Sequence, residues 1–287
     1  MSALPLPAAP ASTPVPPPAL PGGLRLPSGR TAIMGILNVT PDSISDGGRY
    51  TDAAAALRHA REMVAAGADL IDVGGESTRP NSTRISADEE WARICAVVES
   101  LAADGVIVSV DTLHASTARE AARAGAAIIN DVSGGRWDPE MNAAVAQSGC
   151  AYVVQHYRAL PGMPGEHFDY GDDLVGALIE RVGSQVQDAI DAGVTADKIV
   201  VDPGLGFSLT GDQCWQILRE LPRFAQGGYP VLVGASRKRF VKALEGDVDA
   251  NSADIAAYCA AAGAWAVRVH DVAATVAAIA RKENDVD

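Results

Sequence analysis

Three residues able to exchange hydrogen bonds with a flat polar ring stand at equivalent places in this chain. Asp111, Asn130 and Asp202 each close a short apolar run. Two carboxylates and an amide offer several acceptors and one donor face, which suits a heterocycle with amino and ring N–H groups. A second set is basic. Lys238 follows the run 229–233, and Arg268 with His270 ends the run 264–267. Arg presents a fork to phosphate oxygens and His adds a donor, so this set suits an anionic group beside the ring. Each residue alone has an ordinary use, since Asp and Asn cap helices well and Arg or Lys can be solvated surface charge. Three polar residues at matching strand ends favour a site instead.

The elements that must carry these residues recur every thirty to forty positions. Runs rich in Val and Ile fall at 31–37, 69–73, 106–110, 126–129, 151–154, 198–201, 229–233 and 264–267. Short continuous apolar runs of this kind read as parallel strands covered on both faces. Between them lie Ala-rich stretches of helical period: 51–66, 86–103, 115–124, 139–147, 172–192, 213–224, 237–243 with 252–262, and 272–281. Several end on glycine (Gly67, Gly105, Gly125, Gly149, Gly193), the expected residue after a helix C-terminus. Eight alternating units predict a single closed (β/α)8 barrel over 31–287, with the polar strand ends forming its active face. A doubly wound open sheet is the alternative, but the first strand–helix turn lacks a G-x-G-x-x-G phosphate loop. Long connections at 38–50, 74–85, 155–170 and 202–211 carry function in such folds. The first two, rich in Gly, Ser, Thr, Asp and Pro, are expected to be mobile lids.

Residues 1–30 hold nine of the 17 prolines and no periodic apolar face, and are expected to be a disordered tail. The net charge of −13 argues against nucleic acid as a partner, because phosphate binding needs a basic surface. No cationic segment precedes an apolar stretch, and the run 255–267 is broken by Gly263 and is shorter than the roughly 18 residues a span needs. A soluble, cytoplasmic protein without membrane contact is expected. Cys95, Cys150, Cys214 and Cys259 form no CxxC pair and are expected to be reduced, buried thiols rather than a zinc site.

Seven motifs in order carry a resemblance. They are Asn38-Val-Thr-Pro-Asp-Ser43, Gly74-Gly-Glu-Ser-Thr-Arg-Pro80, Ser109-Val-Asp-Thr112, Asn130-Asp-Val-Ser-Gly134, Asp202-Pro-Gly-Leu-Gly-Phe207, Gly234-Ala-Ser-Arg-Lys-Arg-Phe240 and Arg268-Val-His-Asp271. In order and spacing, over about 33–272, the chain resembles the dihydropteroate synthases, pterin-binding barrels of folate synthesis and targets of sulfonamides. The resemblance implies a transferase that joins (7,8-dihydropterin-6-yl)methyl diphosphate to 4-aminobenzoate and releases pyrophosphate. It implies catalytic roles for Asp111, Lys238 and Asp202. Thr78, Asp111, Asn130, Asp202, Lys238, Arg268, Val269 and His270 would bind the pterin diphosphate. Thr78, Arg79, Pro80, Phe207 and Ser236 would border 4-aminobenzoate. Asn38 would be a ligand of Mg²⁺, and the protein would be a homodimer.

The chain departs from the family pattern at four places. Ile44 stands where an aromatic is usual, Leu209 where many members have Lys, Tyr157 beside a retained His156, and Arg239 where some have Ser. None is in the pterin set, and several fall on the aminobenzoate side. Rival expectations are a barrel that binds methyltetrahydrofolate, and a pterin-binding relative without turnover. The first has no diphosphate to bind and no use for Lys238, Arg268 and His270.

Overall fold

Alternation inside each Val/Ile-rich run decides what the barrel holds, because neighbouring residues of a strand face opposite sides. The computed structural model describes residues 4–7, 12, 15–39, 48–77 and 82–284. Its eight strands are β1 (Ala32–Asn38), β2 (Leu70–Gly74), β3 (Val108–Asp111), β4 (Ile128–Asp131), β5 (Ala151–Gln155), β6 (Ile199–Asp202), β7 (Leu232–Val233) and β8 (Ala266–Val269). All neighbours pair in parallel, in the order β6-β5-β4-β3-β2-β1-β8-β7. The ring is closed by a bridge between Val201 and Val231, where the Val201 N–H donates to the Pro230 carbonyl at 2.9 Å. This is the (β/α)8 barrel that the eight runs predict.

One side of each strand faces the helix layer. Ile71, Val73, Val110, Ile129, Val154 and Val201 are among the buried residues of that outer core. The other side faces the barrel axis and changes character along it. Its lower part is apolar, with Met34, Leu70, Ile128, Val153, Val200 and Leu232 in one buried cluster. Two residues further along the same strands stand Asp72, Asn130, Gln155 and Asp202, buried polar groups. The sequence thus builds a dry floor and a polar upper layer, with the strand ends above.

The helices are α1 (Gly48–Ala65), α2 (Ala87–Ala103), α3 (Ala115–Arg123), α4 (Met141–Ser148), α5 (Leu174–Asp191), α6 (Gly211–Arg219), α7 (Pro222–Ala225), α8 (Arg239–Lys242), α9 (Val248–Ala261) and α10 (Val272–Asn284). Local signals set their ends. Ser86 caps α2 by accepting the Glu89 N–H at 3.2 Å. Thr210 and Gln213 form a reciprocal capping box at α6, with bonds of 3.2 and 2.9 Å. Gly149 ends α4 in the left-handed region, φ 74°, which costs glycine nothing. The single helix expected over 213–224 is two, because Pro222 lacks the N–H that would continue α6.

Within the Pro-rich segment, residues 15–30 lie against the barrel. Pro18 and Leu26 are buried, and Leu26 joins Trp265 and Met34 in the cluster at the floor of the barrel. The Ala19 N–H donates to the Asp197 carbonyl at 2.8 Å, and Arg30 grips Asp69 through two bonds of 2.9 and 2.6 Å. The open lower mouth of a barrel exposes apolar side chains, and Leu26 covers them. Burying a leucine contributes about 1.5–3 kcal/mol, and proline lowers the conformational entropy lost when the segment around it is ordered. Parts of the two expected lids, 40–47 and 78–81, lie outside the described residues.

Candidate active site

Five of the residues singled out by type converge where the polar layer meets the open upper end: Asp111, Asn130, Asp202, Arg268 and Lys238. Register explains the first four. Asn38 pairs with Gly74, Gly74 with Asp111 and Asp111 with Asn130, so strands β1 to β4 end level with one another. Gln155 pairs with Asp202, which sets the level of β6. Arg268, two residues beyond Ala266 on β8, points inward from the facing wall.

Arg268 is held by two carboxylates. Its Nε donates to Asp72 Oδ2 at 2.6 Å and its Nη2 to Asp111 Oδ2 at 2.7 Å. The same Asp72 oxygen accepts from Asn130 Nδ2 at 3.1 Å, and Ser109 Oγ donates to Asp72 Oδ1 at 2.6 Å. Asp72 is therefore the hub of the polar layer, and reasoning on strand ends missed it. A signal was present: a carboxylate in the middle of a buried apolar run, two residues before the strand end and so on the inner face. Arg268, expected to hold the diphosphate, is already committed at two of its nitrogens.

Burial pushes the Asp111 carboxyl up to about 7, with Arg268 working against that shift and Asp72 adding to it. Asp202 is also raised by burial, opposed by Lys238 and by the Gly204 N–H, which it accepts at 2.7 Å. Burial pulls Lys238 down to about 8, opposed by Asp202. Its Nζ donates to the Leu205 carbonyl and sits 4.9 Å from the centre of the Phe207 ring. That stem crosses Gly206 closely: a side chain there would begin 3.2 Å from Lys238 Cδ.

The remaining expected residues divide. Ser236 Oγ lies 2.9 Å from His270 Nδ1 and accepts the His270 N–H at 3.3 Å, so Ser236 belongs with the histidine. Phe207 packs with Leu113, Val132, Leu160 and Tyr157 as an apolar wall under Lys238. Val269 turns its side chain into the outer core, so only its backbone is left for a ligand. Leu209, where a cation is usual, is buried in that same core, and Arg239 is exposed at the start of α8. Thr78, Arg79, Pro80 and Ile44 lie outside the described residues.

Beside the site, Glu76 ties the connection after β2 together. It accepts the Ile85 N–H at 3.0 Å and lies 3.3 Å from Arg84 and 3.6 Å from His114. Burial works against the Glu76 carboxylate, but His114, Ile85 and Arg84 together hold its carboxyl low. The bond to Glu76 raises His114.

For a metal ion, no cluster of three or more His, Cys, Asp or Glu exists among the described residues. Mg²⁺ commonly takes one or two protein oxygens and completes its shell with water and substrate phosphates. Asn38, half-buried at the end of β1, offers one amide oxygen beside a strand position emptied by Gly74. Such a site fits Mg²⁺ only together with a diphosphate.

The family described as pterin binding enzyme matches residues 34–270. A dihydropteroate synthase of Mycobacterium leprae (strain TN) is 46% identical over 258 residues, covering 86% of this chain and 90% of the relative. The chain belongs to the dihydropteroate synthase family. Solved members of that family superpose closely. Dihydropteroate synthase of Burkholderia cenocepacia, complexed with 7,8-dihydropteroate, matches with a TM-score of 0.84 at 38% identity, covering 94% of this chain and 96% of that one. The Xanthomonas albilineans enzyme with 4-aminobenzoic acid gives 0.81 at 39% identity, covering 90% and 93%. Among the described residues no helix is long and apolar enough to cross a membrane.

Proposed function

We infer that this protein condenses (7,8-dihydropterin-6-yl)methyl diphosphate with 4-aminobenzoate, giving 7,8-dihydropteroate and pyrophosphate. The observation that carries the reading is the polar layer itself. Two carboxylates, an amide, an arginine and a lysine meet at one end of a barrel whose whole length matches dihydropteroate synthases.

The pterin ring lies among Asp111, Asn130 and Asp202. The Asn130 amide nitrogen is committed to Asp72, which leaves its carbonyl oxygen to accept from a ring N–H or amino group. Asp202 accepts a second donor from the ring, and Lys238 covers it from above. The aminobenzoate nitrogen attacks the pterin methylene as the bond from that carbon to the diphosphate oxygen breaks. The electron pair leaves with pyrophosphate, and the amine loses one proton to solvent. Positive charge grows on the methylene, and the Asp111 carboxylate stabilises it electrostatically. The amine is already a nucleophile, so no Ser or Cys is required. His270 and Ser236 receive the leaving diphosphate near the end of β8. Phe207 forms the wall on which the aminobenzoate ring packs, and Thr78, Arg79 and Pro80 are assigned to the same ring by the resemblance alone.

We extend the reading to Mg²⁺, held by Asn38 and the diphosphate, where it would neutralise charge on the leaving group. A homodimer in the cytoplasm completes it. Pyrophosphate release measured with and without 4-aminobenzoate tests the function: release that depends on the amine supports it, and release indifferent to the amine overturns it. Chelation of Mg²⁺ should abolish turnover, and sedimentation should give twice the mass of the chain.

A further inference from the structure

We infer that Asp72 is the positioning residue of the pterin site: it sets the Asn130 amide and the Arg268 guanidinium without touching the substrate. The proposal rests on the reading of the site as a pterin site and assigns a role that the strand-end residues do not fill.

The geometry carries it. Asp72 is wholly buried, two residues before the end of β2, so a ligand at the open end meets Asp111, the last residue of β3, first. Its Oδ2 receives two donors that come from opposite walls, Arg268 Nε on β8 at 2.6 Å and Asn130 Nδ2 on β4 at 3.1 Å. Its Oδ1 is fixed by Ser109 Oγ at 2.6 Å. A charge removed from water at this depth is costly unless paired and hydrogen-bonded. Three donors on one carboxylate meet that condition, and their result is orientation.

Each donor fixes one choice. An amide can present either oxygen or nitrogen to a ligand, and the two differ in what they recognise. Asp72 accepts only, so it takes the Asn130 nitrogen and turns the oxygen toward the pocket. Arg268 could meet Asp111 through any edge of its fork. Binding Nε to Asp72 leaves Nη2 for Asp111, and the plane of the guanidinium is then set by two carboxylates. A neutral amide at position 72 removes both constraints, because it can donate as well as accept and no longer compels either partner's orientation.

The test is a comparison of kinetic constants for Asp72→Asn and, separately, Arg268→Lys, with the wild-type enzyme assayed alongside. Arg268→Lys keeps the charge but replaces the fork with a point donor that cannot span Asp72 and Asp111. Both variants should raise the KM for the pterin diphosphate at least tenfold and leave the KM for 4-aminobenzoate within twofold. Combining them should cost less than the product of the single effects, since each removes the same constraint. Calorimetric titration with the pterin diphosphate alone, at a temperature where circular dichroism shows the variants folded, should give the same loss of affinity. A folded Asp72→Asn protein that binds the pterin diphosphate like wild type overturns the proposal, as does an equal rise in both KM values. If wild type binds the pterin diphosphate but forms no dihydropteroate, the function is wrong, and the titration still decides the role of Asp72.

Discussion

Asp111→Asn should lower kcat by about a hundredfold while changing the KM for the pterin diphosphate only severalfold. The magnitude follows from the charges that meet at the top of the barrel. Arg268 (+1) faces Asp72 (−1) and Asp111 (−1), so the trio carries −1, and Lys238 and Asp202 cancel. Replacing Asp111 by an isosteric amide brings the trio to zero and leaves Asp72 paired with Arg268. A unit charge about 6 Å from the methylene, at an effective dielectric constant of about 20, contributes about 2.8 kcal/mol. That is about a hundredfold in rate, close to the loss seen when one electrostatic contact to a transition state is removed. The methylene of the bound substrate is nearly neutral, so the loss falls on kcat and not on binding. Rapid-quench measurement of dihydropteroate formation at saturating substrates reads the chemical step directly. A change confined to KM, or a loss below fivefold, would refute the electrostatic role and reduce Asp111 to a pterin hydrogen-bond acceptor.

Three further outcomes follow from the site and the floor of the barrel. The kcat/KM for the pterin diphosphate should rise with pH as Asp111, pushed up to about 7, loses its proton, and should fall as Lys238, pulled down to about 8, loses its own. A raised carboxyl is anionic only above its pKa and a depressed ammonium cationic only below, so the profile is a narrow bell; a flat profile from pH 6 to 9 contradicts both shifts. Leu26→Ala should cost about 2–3 kcal/mol by opening a cavity at the lower mouth, a fall in the calorimetric Tm of roughly 5–8 °C, with kcat unchanged; an unaltered midpoint would mean that the Pro-rich segment contributes nothing to the floor. Gly204→Ala should reduce turnover at least tenfold, because φ is 72° there and a Cβ would stand 2.7 Å from the His156 carbonyl, which displaces the N–H that holds Asp202. Full activity in that variant would show that the turn can relax without moving the carboxylate.

The barrel was legible in the chain because buried parallel strands leave a local trace: continuous Val and Ile with glycine and polar residues at fixed ends. Asp111, Asn130 and Asp202 were legible for the same reason, since a strand end is both a sequence position and a place in the fold. Val269 shows where contiguity misleads. It stands between Arg268 and His270 in the motif, yet alternation sends its side chain into the helix layer. Leu26 was hidden for a different reason. Nothing in a Pro-rich stretch has a periodic face, and its burial arises from an apolar mouth assembled by eight distant strands.

Asp72 is the most instructive case. Within the run 69–73 its charge looks like an interruption, and no neighbour in sequence explains it, because its partners lie 37, 58 and 196 positions away. A carboxylate in the middle of a buried strand cannot be neutralised locally, since strand neighbours point to opposite faces. It must therefore find cations or donors across the barrel, and in doing so it fixes the distances between strands that share nothing in sequence. A charged residue on the inner face of such a run thus marks an obligation that only the closed barrel can meet. The same energetic demand that makes Asp72 costly to bury makes its partners hard to move. Asn130 at the end of β4 and Arg268 on the facing wall take their orientation from that one buried carboxylate.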